Sequence, residues 1–345
     1  MTATTRAPEA WAGRDDGPGD EHARWHSAIG LAPATGGVAA DIALVGFCSD
    51  EGVRRNHGRP GAFDGPAAIR AALAQLAAPR RPDGTVVSLV DIGDVVVSDG
   101  DLEGGQELLG DAVRGIVDSG ALAVVLGGGH EVAYGTYLGI SSSRRAAKPA
   151  RLGVFNLDAH FDLRAAERAS SGTPFLQIVT RQRALGREFR YFVAGISPAS
   201  NTRALFDTAG RLGVGVLTDD DCAPETCRDF VEEFLAQVDL VHLTVDLDVL
   251  PAAVAPGVSA PAGFGVELSG VRQMCRAVAR SGKLAVVEIA ELNPRFDVDG
   301  RTARLAARLA DEIVRTVVQL PGLRADPRAA SRGTVRRPGI AGRAG

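Results

Sequence analysis

Short apolar runs alternate with longer amphipathic stretches along most of this 345-residue chain. Runs rich in Val, Ile, Leu and Ala at 41–48, 85–91, 121–126, 151–157, 188–195, 213–217, 239–246 and 283–290 predict eight strands. Helical patterns fall between them at about 67–78, 103–118, 131–142, 174–184, 201–211, 224–236, 267–281 and 300–319. The first of these helices has Pro66 at its entrance, where a missing N–H loses nothing. The strand runs are apolar throughout, which is the pattern of a parallel sheet buried on both faces by helices. Eight such βα units fit a closed barrel or an open doubly wound sheet. In both, catalytic residues lie at the carboxyl ends of the strands.

The two ends of the chain lack this pattern. Residues 1–39 are rich in Gly, Ala, Pro and charge and read as a mostly flexible arm, while 323–345 read as a basic flexible tail. No linker interrupts 40–322, which reads as one domain. A hydrophobic fraction of 45% excludes wholesale disorder, and a net charge of −4 gives no case for a nucleic-acid or membrane-surface partner. No apolar run approaches the roughly 20 residues that span a bilayer, and the first residues contain no signal-like apolar core. Cys48, Cys222, Cys227 and Cys275 match neither a zinc nor a redox spacing. A cytoplasmic location is expected.

Chemistry concentrates at three predicted strand ends. Asn156-Leu-Asp158-Ala-His160-Phe-Asp162 follows one apolar run, and extended chain points Asp158, His160 and Asp162 the same way. A second run ends in Gly127-Gly-Gly-His130-Glu131, whose glycines allow a sharp turn that presents His130. A third ends in Thr244-Val-Asp246-Leu-Asp248, where an unpaired carboxylate behind an apolar strand would be costly to bury. His130, Asp158, His160, Asp162, Asp246 and Asp248 are too many donors for one catalytic metal with an open position. They suit two, and four carboxylates balance two divalent cations. A carboxylate-rich set favours Mn²⁺, with Fe²⁺, Co²⁺ and catalytic Zn²⁺ left open.

These stretches, with Ser170-Ser-Gly-Thr-Pro-Phe175 and Glu288-Ile-Ala-Glu-Leu-Asn-Pro294, resemble the ureohydrolase superfamily of arginases, agmatinases and formimidoylglutamases, over about 41–320. The resemblance implies a three-layer α/β/α fold with an eight-stranded, mainly parallel open sheet, and two Mn²⁺ ions per subunit. It implies that His130, Asp158, Asp162 and Asp246 hold one ion and Asp158, His160, Asp246 and Asp248 the other. A hydroxide bridging the ions would attack the carbon of a guanidinium or amidinium group. Asp162 would relay a proton to the leaving amine, and Glu291 would pair with the substrate's cationic nitrogens.

Departures from the superfamily pattern narrow the substrate. Ser171 stands where arginases and agmatinases carry a histidine, and Pro251-Ala252 replaces the usual Asp-Pro. With Gly52-Val-Arg54-Arg55-Asn56-His57-Gly58-Arg59 and Ser200-Asn201-Thr202-Arg203, this looks like the formimidoylglutamase branch. That branch hydrolyses N-formimidoyl-L-glutamate to L-glutamate and formamide in histidine degradation. Its substrate carries two carboxylates beside one amidinium and calls for cations. Arg54, Arg55, Asn56, Arg59, Ser171, Asn201, Arg203 and Glu291 are the expected substrate-binding residues, and His57 is a candidate proton shuttle. Arg164 reads as a structural ion pair. Competing readings are an agmatinase or guanidino-acid hydrolase, and a non-catalytic metal-binding homologue. The partner expected is a small amidine; whether copies of the chain form a homo-oligomer stays open.

Overall fold

The computed structural model describes residues 3–33, 38–147 and 149–321. The strands are β1 (Thr4–Arg6), β2 (Ile29–Leu31), β3 (Ile42–Cys48), β4 (Leu89–Val96), β5 (Leu122–Leu126), β6 (Leu152–Leu157), β7 (Tyr191–Ile196), β8 (Gly215–Thr218), β9 (Leu240–Asp246) and β10 (Leu284–Ala290). The helices are α1 (Trp25–Ala28), α2 (Glu51–Arg55), α3 (Gly65–Ala74), α4 (Leu102–Ser119), α5 (Val132–Ser142), α6 (Pro174–Ala184), α7 (Arg203–Leu212), α8 (Pro224–Gln237), α9 (Leu268–Arg280) and α10 (Arg301–Val317).

The strands form one sheet in the order β1-β4-β3-β5-β10-β9-β6-β7-β8, with β2 also paired to β4. The ends of this path do not meet, so the sheet is open and the barrel alternative falls. Every pairing is parallel except β1 with β4. Alternate residues of the central strands enter opposite cores. Leu122, Val124 and Leu126 pack with α3, α8, α9 and α10, while Ala123 and Val125 pack with α4, α5, α6 and α7. This is why the strand runs carry no polar alternation: each strand has two apolar faces to bury.

Two expectations are corrected. The eight predicted strands are all present, but the described residues add β1 and β2 from the segment read as a mostly flexible arm. That segment is packed: Trp25 is fully buried, and its indole N–H donates to Asp311 of α10 at 2.9 Å. The tail 323–345 lies outside the described residues. The second predicted strand, 85–91, is displaced to β4, which carries Asp91 and Asp94. Both are buried within the strand, where Arg70 meets them at 2.8 and 2.6 Å and Arg6 meets Asp94 at 2.6 Å. Charge pairing across layers makes those positions tolerable inside a strand.

The chain passes from β5 to β6 by skipping two places in the sheet, which β10 and β9 fill later. The carboxyl ends of β5, β10, β9 and β6 therefore stand side by side, where a doubly wound sheet opens a crevice.

Candidate metal centre

Four adjacent strand ends deliver the polar residues. The glycine turn after β5 brings His130, the segment after β6 brings Asp158, His160 and Asp162, and the end of β9 brings Asp246 and Asp248. Glu291 follows β10. The turn after β5 must pass very close to the end of β3, since a Cβ on Gly128 would lie 1.9 Å from the Ser49 carbonyl oxygen. Only glycine leaves that room.

The six expected donors form two groups that share Asp158. One is His130, Asp158, Asp162 and Asp246; the other is Asp158, His160 and Asp248. His130 Nδ1 lies 3.0, 3.0 and 3.1 Å from oxygens of Asp158, Asp162 and Asp246. Its Nε2 is engaged 2.9 Å from Thr244 Oγ1. A ring nitrogen carries at most one hydrogen and cannot serve three carboxylates; Nδ1 is buried without a hydrogen-bond partner. A cation among these donors resolves that conflict, and donors about 2 Å from one ion lie roughly this far apart. In the second group, His160 Nδ1 lies 3.1 Å from Asp248 Oδ2 and 3.6 Å from Asp158 Oδ1. Asp158 thus offers one oxygen to each group. Asp246 reaches the first group through Oδ2, while its Oδ1 accepts the Asp248 N–H at 2.9 Å.

The electrostatics agree. Burial opposes charge on His130, yet Asp158, Asp162 and Asp246 outweigh it and hold the imidazole well above its ordinary range. The Asp248 carboxylate pushes His160 up to about 12. Burial, then Asp158, raises Asp162 to about 6, and burial, then Asp248, raises Asp246 well above the carboxylate range. Such a site attracts positive charge.

Glu291 is buried beside the first group. Its Oε1 accepts the His130 N–H at 2.8 Å, and its Oε2 has no hydrogen-bond partner among the described residues. Asp162 and Glu291 both hold left-handed backbone, with φ of 47° and 67°. Each costs about 1–3 kcal/mol and persists only where neighbours impose it.

The expected substrate-binding residues divide. Arg54 bonds Asp50 through Nε and is otherwise exposed, with its terminal nitrogens free of any other described partner. Asn56 approaches Gly172, where an added Cβ would lie 3.0 Å from its amide, and Ser171 is buried one residue before that glycine. Four others are turned to different work. Arg55 is buried against Glu51, Glu103 and the carbonyls of Gly100 and Ala169. Arg59 bonds the carbonyls of Val258 and Ser259 and covers the Phe296 ring. Asn201 accepts the Phe161 N–H and donates to the Ala159 and Ser197 carbonyls, so its amide is fully used on backbone. Arg203 is 94% exposed beside Asp207, in solvent. His57 is exposed at the end of α2 in left-handed backbone.

Sequence reading took Arg164 for an ion pair and gave Glu131 no role. Arg164 is exposed two residues beyond Asp162, and its guanidinium has no ion pair or hydrogen bond among the described residues. Its backbone N–H bonds the Gly172 carbonyl at 2.9 Å, and its side chain runs beside Gly172 and Asn56. Glu131 accepts from Ser49 Oγ at 2.8 Å and Gly52 N–H at 2.9 Å, fastening α2 to the His130 turn. Its place in Gly-Gly-His-Glu was the available signal.

Fold and donor set together define a class: an α/β protein with a His/Asp metal-binding site at the carboxyl edge of its parallel sheet. The arginase family matches residues 40–315, and the chain belongs to it. It is 56% identical to the formimidoylglutamase of Nocardia farcinica, over 92% of this chain and 99% of that protein. It is 53% identical to that of Rhodococcus opacus, over 89% and 95%. Among solved structures, Trypanosoma cruzi formiminoglutamase with Mn²⁺ superposes with a TM-score of 0.73 at 26% identity, over 82% of this chain and 95% of that one.

Proposed function

We propose that this protein hydrolyses the amidine C–N bond of N-formimidoyl-L-glutamate, giving L-glutamate and formamide. One observation carries the choice of substrate: 56% identity to a formimidoylglutamase over 92% of this chain and 99% of that protein. His130, Asp158, Asp162 and Asp246 would hold one Mn²⁺, and Asp158, His160 and Asp248, with Asp246 beside them, the other. When bound, the two ions supply Lewis acidity to the attacking water and to the charge that develops at the amidine carbon. Water adds to that carbon, the bond to the glutamate nitrogen breaks, and the amine leaves with a proton.

The chain's own residues account for the rest. Glu291 offers its free Oε2 to the amidinium N–H groups. Asp162, 3.0 Å from His130 Nδ1 and held in strained backbone, would pass the proton to the leaving nitrogen. Arg164, Asn56 and Arg54 face the substrate's two carboxylates, since Arg164 and Arg54 retain unpaired guanidinium donors. Among the described residues no helix is long and apolar enough to cross a membrane, and the four cysteines are free thiols. A cytoplasmic enzyme acting on a small amidine fits both.

The test is a rate comparison on formimidoylglutamate, agmatine, arginine and guanidino acids with the Mn²⁺-loaded protein. Formamide and glutamate should form in equal amounts from the first. Urea from a guanidino compound, with no formamide, would replace this reading by another ureohydrolase activity. No turnover of any of them would mark a silent homologue.

A further inference from the structure

We propose that Tyr191 is a positioning residue that selectively sets the ion affinity of the His130 group, with Asn156 linking it to the shared Asp158, an inference that rests on the two-ion reading above. Asn156 lies on β6, fully buried, and its amide donates to Asp158 Oδ2 and to the Tyr191 hydroxyl, each at 3.0 Å. The Tyr191 hydroxyl in turn donates to the Phe161 carbonyl at 3.2 Å. That carbonyl belongs to the peptide entering Asp162, the residue held at a φ of 47°. Losing the bond would free this peptide to relax, and the Asp162 carboxylate would swing with it.

The same tyrosine supports the group from behind. Its ring stacks on Phe175 with centroids 4.3 Å apart, and Phe175 meets the His130 ring edge-on at 5.5 Å. Three of the four donors at one point, Asp158, Asp162 and His130, therefore lean on one buried tyrosine and its asparagine.

The second group is held by other means. Asn201 pins the backbone on either side of His160 through the Ala159 carbonyl and the Phe161 N–H. The Asp248 carboxylate accepts the Ala159 N–H at 3.4 Å. The His160 N–H bonds Asp158 Oδ1 at 2.6 Å. None of these bonds passes through Tyr191.

The experiment titrates metal-stripped full-length protein with Mn²⁺ by calorimetry, counting bound ions by EPR, for wild type, Tyr191→Phe and Asn156→Ala. Tyr191→Phe keeps the stacked ring and removes one oxygen, so the fold is retained. Wild type should bind two ions. Tyr191→Phe should hold one of them about 10–100-fold more weakly and the other unchanged, the size typical of losing a group that orients a ligand, while Asn156→Ala, which frees the shared Asp158, should weaken both. A merely structural tyrosine would lower the melting temperature without separating the two affinities. Wild-type affinities in Tyr191→Phe, or equal weakening of both ions by it, overturn the positioning role and leave the two-ion reading standing. A wild-type protein that binds no Mn²⁺ overturns that reading, and the inference with it.

Discussion

An arginine can bind a substrate carboxylate only with donors the fold leaves free, and this criterion separates the arginines around the centre. Arg55 and Arg59 sit in the loop that charge logic singles out, yet carbonyls and carboxylates of the protein occupy them. Arg164 was read as an ion pair and has none among the described residues. Arg164→Ala should therefore raise KM for formimidoylglutamate at least tenfold, the loss expected for one charge-assisted bond, with both ions retained. An unchanged KM in steady-state kinetics would remove Arg164 from the pocket. The six candidate donors were legible because five lie in two short runs spaced two residues apart at strand ends and His130 follows a glycine turn at a third. The free or occupied state of a guanidinium was not, since its partners lie tens of residues away.

At the scale of elements, α2 is the piece the pattern did not show: five residues are too few for helical periodicity to register. Tertiary bonds hold it in place of propensity. Glu131 takes the Gly52 N–H, and Arg55 ties the helix to α4 through Glu103 and to the carbonyls of Gly100 and Ala169. Arg55→Ala should leave those carbonyls without their donor and lower unfolding stability by about 1–3 kcal/mol, read from urea denaturation. Wild-type stability with a raised KM would instead return Arg55 to the substrate pocket. The same reasoning explains β4, whose buried Asp91 and Asp94 obscure a strand that Arg70 and Arg6 make possible.

For the whole molecule, the edge formed by the N-terminal segment is part of the fold. Trp25 fills a buried position and bonds Asp311, which Arg308 and Arg315 also hold. Trp25→Ala should destabilise the protein by about 3–5 kcal/mol in denaturant unfolding, and a smaller effect near zero would restore the loose arm. The centre ties into stability as well. Removing ions with a chelator leaves buried carboxylates facing one another, so the melting temperature should fall by about 5–10 °C and recover with Mn²⁺, for ion at a hundredfold excess over Kd. A chelated protein that melts like the untreated one would show that no ion is held.

By itself the sequence determined the alternation of strands and helices, the carboxyl-edge location of the chemistry and the six donors, because each follows from local periodicity or from spacing of two residues. Only the tertiary structure decided that the sheet is open, that β10 and β9 close the gap between His130 and the aspartates, and that Asp158 serves both groups. It also decided which polar side chains are already bonded and which remain free. These depend on contacts between segments far apart in the chain, and no local pattern encodes them.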